Sequence, residues 1–200
     1  MNTLEAIMSR VSIRLFKEEE IPDDVLKKVL SAGLRAPTAG GGEQWFFIVV
    51  KSRELRVKIH ELLIKAHRMY GEKVVRGGLP KEVMDKWLRK MSEGQYLAPT
   101  YIAAYIDLRR RLYNDEFKEL ERLWAIQSLS AAIENMILAA WDLGLGSVWL
   151  GVPLLIKDEF NKLLNPPPNC ELQAVIALGY PKYVPKQRPR KDLSEVVRFM

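Results

Sequence analysis

The sequence predicts an α+β domain in which helices surround a small sheet, and three observations carry that expectation. Strand-like runs at 45–50, 98–106 and 172–178 are interleaved irregularly with helical patterns. One helical pattern, from about Phe117 to Leu143, is apolar on nearly every side, with only Ser130, Glu134, Asn135 and Asp142 polar between Leu129 and Leu143. Such a helix must be covered from several directions, which places it centrally, against the sheet and against another subunit. Finally, 200 residues with 48% hydrophobic content and no internal repeat suffice for one core, so the chain reads as a single domain over 1–200.

The elements follow in order. Thr3 to Ser9 opens as a short helix with Leu4, Ile7 and Met8 on one side. From Arg10 to Phe16, Val11, Ile13 and Leu15 alternate with Arg10, Ser12 and Arg14. In an extended segment this gathers two guanidiniums and a hydroxyl on one face, which suits a polyanion or a polar ring edge and equally an ordinary exposed strand. Pro22, Asp23 and Asp24 start a helix, with proline and acidic groups in its first turn. Val25, Leu26, Val29, Leu30, Gly33 and Leu34 repeat at helical spacing until Pro37.

Gly40, Gly41 and Gly42 then lead into Trp45–Val50, an all-apolar run rich in aromatic and β-branched residues that reads as a buried strand. Three glycines there require positive φ or close backbone approach. A phosphate loop does not fit, because that motif follows a strand and ends in Gly-Lys-Ser/Thr before a helix. Ser52 is placed to cap a helix carrying Leu55, Ile59, Leu62 and Leu63. His60 and His67 share a face of it. With no carboxylate or cysteine constellation beside them they read as surface residues, and no metal is assigned.

Residues 70–95 mix charge, glycine and a helical piece around Val83, Trp87 and Met91, the kind of insert that shapes access to a pocket. Ala98–Ile106 reads as a second buried strand. Arg109–Arg111 after it reads as a solvated turn or as a contact for a substrate phosphate. Gly144 closes the long helix, and the chain turns through Gly144–Gly151 into a short strand. Ile156–Leu164 is helical, Pro166–Pro168 stops it, and Leu172–Leu178 is a strand ending at Gly179-Tyr180-Pro181.

Composition narrows the function classes. The lone Cys170 rules out an intrachain disulfide and any multi-cysteine metal site. The N-terminus lacks the long apolar core of a signal peptide, and no uninterrupted apolar run reaches membrane-spanning length, so a cytoplasmic protein with no membrane partner is expected. The net charge is +6, and Lys182–Met200 holds Lys182, Lys186, Arg188, Arg190, Lys191 and Arg198 against Asp192 and Glu195. That stretch is a solvated tail or an anion site. Without a long basic stripe interleaved with aromatics, nucleic acid is not the expected partner.

Four separated segments resemble one family. They are Arg10-x-Ser12-x-Arg14-x-Phe16; Ala36-Pro-Thr-Ala-Gly40 with Trp45-x-Phe-Ile-Val; Glu134-Asn-Met-Ile-Leu-Ala-Ala with Gly144-Leu-Gly-Ser-x-Trp-Leu-Gly151; and Gly179-Tyr-Pro with Arg188-x-Arg190-Lys191. In order and spacing they are similar to the nitroreductase family, flavin mononucleotide (FMN) enzymes that work as intertwined homodimers. The resemblance implies a small, mainly antiparallel sheet and a long central helix at a dimer interface. It also implies cofactor contacts at Arg10, Val11, Ser12, Arg14, Pro37, Thr38, Ala39, Gly40, Gly41, Trp149, Leu150, Gly151, Arg188 and Arg190.

Within that set, Arg10 and Ser12 match the groups at the flavin phosphate end and ring edge, and Arg188 and Arg190 would complete the phosphate cluster. Arg14 matches the basic residue beside flavin N1 and O2, where a permanently protonated guanidinium stabilises negative charge on the ring. Gly151 matches the turn that offers an amide donor at N5, with Trp149 and Leu150 flanking the ring. Arg14 and Gly151 are therefore the catalytic candidates. The implied reaction uses NADH or NADPH as co-substrate and a nitro, quinone or related electron-poor small molecule as acceptor, by ping-pong hydride transfer through N5. A specialised flavin dehydrogenase, a reductive dehalogenase and a non-catalytic flavin-binding protein remain the alternatives. The sequence departs from the family near Gly41, Glu43 and Gln44, where asparagine, glutamine and proline are usual. Glu43 is left as a loop carboxylate or an ion-pair partner across the interface.

Overall fold

In the computed structural model, which describes residues 1–200, four strands form one antiparallel sheet in the order β1-β2-β4-β3. They are β1 Trp45–Val50, β2 Thr100–Asp107, β3 Gly146–Leu150 and β4 Cys170–Gly179. The helices are α1 Thr3–Ser9, α2 Asp23–Gly33, α3 Arg53–Met69, α4 Lys81–Ser92, α5 Lys118–Asp142, α6 Lys157–Leu164 and the single turn α7 Leu193–Val196. A π-helical turn at Tyr70–Val74 continues α3, and 3-10 turns at Asp115–Phe117 and Val152–Ile156 lead into α5 and α6.

The sheet is buried on both faces, and the period of two in β2 divides its side chains between two cores. Tyr101, Ala103 and Tyr105 join Ile59, Leu63 and Ala66 of α3, Met91 of α4 and Phe160 of α6. Ile102, Ala104 and Ile106 join Leu26 and Val29 of α2 and the inner face of α5. On β4 the alternation slips by one residue. Ala104 pairs with Ala174 but Tyr105 pairs with Leu172, so Gln173 is bulged. Leu172 thus stays in the first core while Ala174, Ile176 and Leu178 lie in the second.

α5 is central because its inner face combines Leu129, Ile133, Met136 and Ile137 with the small Ala125, Ala132 and Ala140, which let the sheet and α2 approach. A side chain on Gly33 of α2 would overlap Met136, and Asn135 donates to the Ala32 carbonyl at 3.3 Å. By length and composition the Asp115–Asp142 stretch is apolar enough to cross a membrane, but this face is taken up by the sheet and α2. Leu120 and Leu123 near its N-terminus stay exposed.

The segment after α1 crosses the end of the sheet where β3 begins and β4 ends. Ile13 donates its N–H to the Ser147 carbonyl at 2.9 Å, Lys17 donates to Tyr180 at 2.9 Å, and Lys182 donates to Leu15 at 3.0 Å. Ile13 is fully buried directly over Gly146, where any Cβ would overlap its side chain. Tyr96 fixes the same segment from the other side. It adopts φ 71°, a left-handed conformation costly for an aromatic residue, and in it donates its N–H to the Arg14 carbonyl at 2.8 Å. The Tyr101 hydroxyl donates to the Tyr96 carbonyl at 2.7 Å, which helps hold that conformation.

Several expectations need correction. β1 is an edge strand, so only Trp45 and Val50 are buried and the residues between them are half-covered. Ser52 occupies the N-cap position of α3 without a side-chain cap bond. His60 and His67 do share a face, but they are interior residues, because the chain from the π-helical turn through α4 to Tyr96 folds over that face. His60 Nε2 lies 3.0 Å from the Gln95 carbonyl and His67 Nδ1 2.7 Å from the Leu63 carbonyl. The His67 ring stacks on Tyr96 at 4.9 Å with its edge to Trp87, and burial pushes its pKa below the ordinary imidazole value.

Gly146→Ala should destabilise the fold by about 1–3 kcal/mol, the usual cost of overpacking a closed core site. Urea unfolding of variant and parent measures this. Amide hydrogen exchange should show Ile13 losing protection before the strands of the sheet.

Candidate functional site

The N-terminal segment positions the first group of candidates. Ser12 forms a parallel bridge with Ser147, and Ile13 turns inward, which leaves Arg14 on the outer face. The Arg14 guanidinium has one hydrogen bond, to the Ser12 carbonyl at 3.3 Å, and no carboxylate partner. The Arg10 Nε is buried and hydrogen-bonded to nothing in the protein, with the half-exposed Glu134 carboxylate 3.8 Å away. The C-terminal tail returns antiparallel along this segment, through the Phe16–Pro181 bridge and a bond from the Gln187 amide to the Met8 carbonyl. That brings the stretch beginning at Arg188 back toward Arg10. Arg188 and Arg190 are exposed and take part in no ion pair.

The glycine loop forms a second group, built against α5. Gly40 and Gly41 have φ 55° and 66°, so the need for glycine is met at these two positions. Thr38 Oγ1 accepts the Glu43 N–H at 2.9 Å, and the Ala39 N–H donates to Ser128 Oγ at 3.1 Å. The polar groups of Thr38 and Ala39 thus hold the loop itself. Glu43 is exposed, at φ 46°, and makes no ion pair within the chain. Gln44 is buried. Its amide donates to Glu121 at 2.9 Å and to the Arg110 carbonyl at 3.2 Å.

Glu121, fully buried on the first turns of α5, is the anchor that composition did not reveal. Its carboxylate accepts from Gln44, from the Leu112 N–H at 2.7 Å and from Arg111. Burial alone would raise its pKa, but these hydrogen bonds and the Arg111 charge outweigh burial and hold it below the usual carboxylate value. The basic turn after β2 is therefore largely structural. Arg109 grips Asp107 with Nε and Nη2 and lies over the Phe46 ring, Arg111 pairs with Glu121, and only Arg110 keeps an unpaired guanidinium.

The third group sits at the far end of β3. Trp149 is more than one-third exposed on the edge strand, opposite Ile176 on the α5 side of the sheet. Leu150 points into the other core and is 5% exposed, so the strand's alternation leaves only its backbone for a ring contact, contrary to the expected flanking side chain. Gly151 follows at φ −91°, with open space where a Cβ would stand and no protein acceptor for its N–H.

Within one chain these groups stay separate: the basic segment at the start of β3, the turn at its end, and the glycine loop on α5. A surface hollow lies elsewhere, on the outer face of α3 beside Arg53, Val57 and Glu61. Nothing in the sequence points to Tyr96, Glu121 or Ser128; Gln44 is marked only as a departure from the family and Ser147 only as part of the Gly144–Gly151 motif.

A family model described as the nitroreductase family matches residues 7–180. A protein of Archaeoglobus fulgidus, provisionally named an NADH dehydrogenase/NAD(P)H nitroreductase, is 33% identical over 187 residues, which cover 90% of this chain and 85% of that one. An iodotyrosine deiodinase of Thermotoga neapolitana is 27% identical over 197 residues, covering 95% of this chain and 93% of that one. The solved structure of a nitroreductase with bound FMN from Bacteroides fragilis superposes with a TM-score of 0.70 at 25% identity, over 100% of this chain and 99% of that one.

Glu121→Gln should cost about 3 kcal/mol near neutral pH, since it leaves buried donors facing an amide. Because the folded-state pKa is lowered, the parent's contribution is complete above the ordinary glutamate range and is lost as pH falls through the folded value. Urea unfolding from pH 7 to pH 3 should therefore give a variant whose stability falls less steeply with acid than the parent's.

Proposed function

This chain belongs to the nitroreductase family and is an NAD(P)H-dependent oxidoreductase; from that premise we propose that it binds FMN and reduces nitro, quinone or related electron-poor small molecules. The observation that carries the proposal is the cationic segment at the start of β3, whose guanidiniums no carboxylate neutralises at hydrogen-bond distance. The buried Arg10 Nε makes no hydrogen bond, and its pairing with Glu134 is long at 3.8 Å, so a phosphate dianion fits it as an acceptor. Arg10, Ser12, Arg188 and Arg190 would hold that phosphate. Arg14 would lie at the polar edge of the ring, and the free Gly151 N–H would face its central nitrogen.

When bound, FMN supplies hydride transfer at N5, from the nicotinamide in one half-reaction and to the acceptor in the other. The chain's part is electrostatic and positional. Arg14 would stabilise negative charge at the ring edge through the positive charge of its guanidinium. Its backbone is fixed by the Tyr96 N–H, so the guanidinium starts from a held position. Two copies complete the site in this reading, each glycine loop closing over the ring held by its partner. Exposed Leu4 and Met8 on α1, Leu120 and Leu123 on α5 and Phe199 in the tail offer apolar surface to such a homodimer. The arginines after β2 give little support to a preference for the phosphorylated nicotinamide, since Arg109 and Arg111 are already paired.

A reductive dehalogenase is the second reading, favoured by similarity to the iodotyrosine deiodinase. The reduced protein should then release iodide from 3-iodotyrosine faster than it reduces a nitroaromatic compound, and the reverse order supports the first reading.

Purified protein should be yellow and be bleached anaerobically by NADH or NADPH in a stopped-flow instrument; retained colour with both would overturn the proposal. Arg14→Ala should keep bound flavin but bleach about a hundredfold more slowly, the size of one lost electrostatic contact in a preorganised site. Equal rates would remove Arg14 from the chemistry.

A further inference from the structure

Among the residues that sequence reading left without a role, Tyr113 occupies a place that the rest of the site defines. The chain after β2 is strapped to α5 by the Leu112 N–H and the Arg111 guanidinium, both donating to the buried Glu121 carboxylate. Gln44 ties the same carboxylate to the end of the glycine loop and also donates to the Arg110 carbonyl. Residues 110–113 and the loop are therefore one unit with a common anchor, although about seventy positions separate them in sequence.

The strap lies across the glycine turn. A Cβ built on Gly40 would stand 2.5 Å from the Tyr113 hydroxyl, and one on Gly42 would overlap Leu112. The Tyr113 ring is half-buried and set edge-on against Trp124 at 5.1 Å and 67°, which fixes its direction. Trp124 is in turn part of the loop's seat. Its carbonyl accepts from Ser128 Oγ at 2.8 Å, and Ser128 Oγ accepts the Ala39 N–H. The phenol hydroxyl has no hydrogen-bond partner in the chain. It is thus a fixed, unspent donor at the turn whose own residues carry no side-chain polar group.

We infer that Tyr113 is the specificity-determining residue for the electron acceptor, donating a hydrogen bond to an oxygen of an aromatic nitro, carboxyl or quinone group. The inference rests on the reading that the glycine loop faces the flavin. Gly40, at φ 55°, leaves open the space beside the hydroxyl, and the Glu121 strap keeps the hydroxyl there.

Tyr113→Phe keeps the ring and its packing on Trp124 and removes only the donor. Benzoate is the probe, since it is isosteric with nitrobenzene and cannot be reduced. Titrated into the oxidised, flavin-loaded protein and followed by the flavin absorbance, it should bind five- to tenfold more weakly to the variant, the equivalent of one hydrogen bond. Flavin content should match the parent's. Equal benzoate affinity in parent and variant overturns the assignment. A parent that retains no flavin overturns the reading beneath it, and the two failures are told apart by colour before any titration begins.

Discussion

One main-chain hydrogen bond, from Ile13 to Ser147, sets where the basic segment can lie, and it exists because Gly146 leaves room for the Ile13 side chain. Burial of that side chain is worth about 1.5–3 kcal/mol and anchors a stretch with no neighbouring strand over most of its length. Alternation does the rest. With Ile13 inside, Arg14 must be outside, and the Tyr96 N–H then fixes the carbonyl of that residue. The strained φ of Tyr96 is tolerated because its ring, its N–H and its carbonyl are each engaged, by His67, Arg14 and Tyr101.

A second anchor has the opposite character. Burying the Glu121 carboxylate is costly by itself, and three donors offset that cost. What the fold gains is a rigid junction among three pieces distant in sequence: the glycine loop, the turn after β2 and the start of α5. Apolar residues could fill the same volume but would not fix the Leu112 N–H and the Gln44 side-chain amide in the same way.

Much of the architecture could be read from sequence because it follows from periodicity. The long apolar helix, the strand runs and the glycine requirement at Gly40 and Gly41 each depend on neighbouring residues, and each is present. What could not be read depends on which segments meet. His60 and His67 looked like surface residues because nothing local says that Trp87 and Tyr96 fold over them. The run of Arg109 to Arg111 looked free because Asp107 and Glu121 meet it only in the folded chain. Trp45–Val50 is as apolar as a central strand, yet it lies at the sheet edge, where half-coverage suffices. The candidate contacts at Arg10, Ser12 and Arg14 came from family resemblance joined to alternation, and the structure adds a buried Arg10 Nε that makes no hydrogen bond.

The bulge at Gln173 bears on how this chain is compared with others. It acts as a phase shifter, because residues before it and after it obey opposite rules for facing the two cores. A one-residue gap in this strand is therefore no neutral change of loop length. It exchanges inside for outside along half of β4, carrying the register of β2 and β3 with it. An alignment that slides a residue through this position would pair every later side chain with the wrong layer, however good its overall identity.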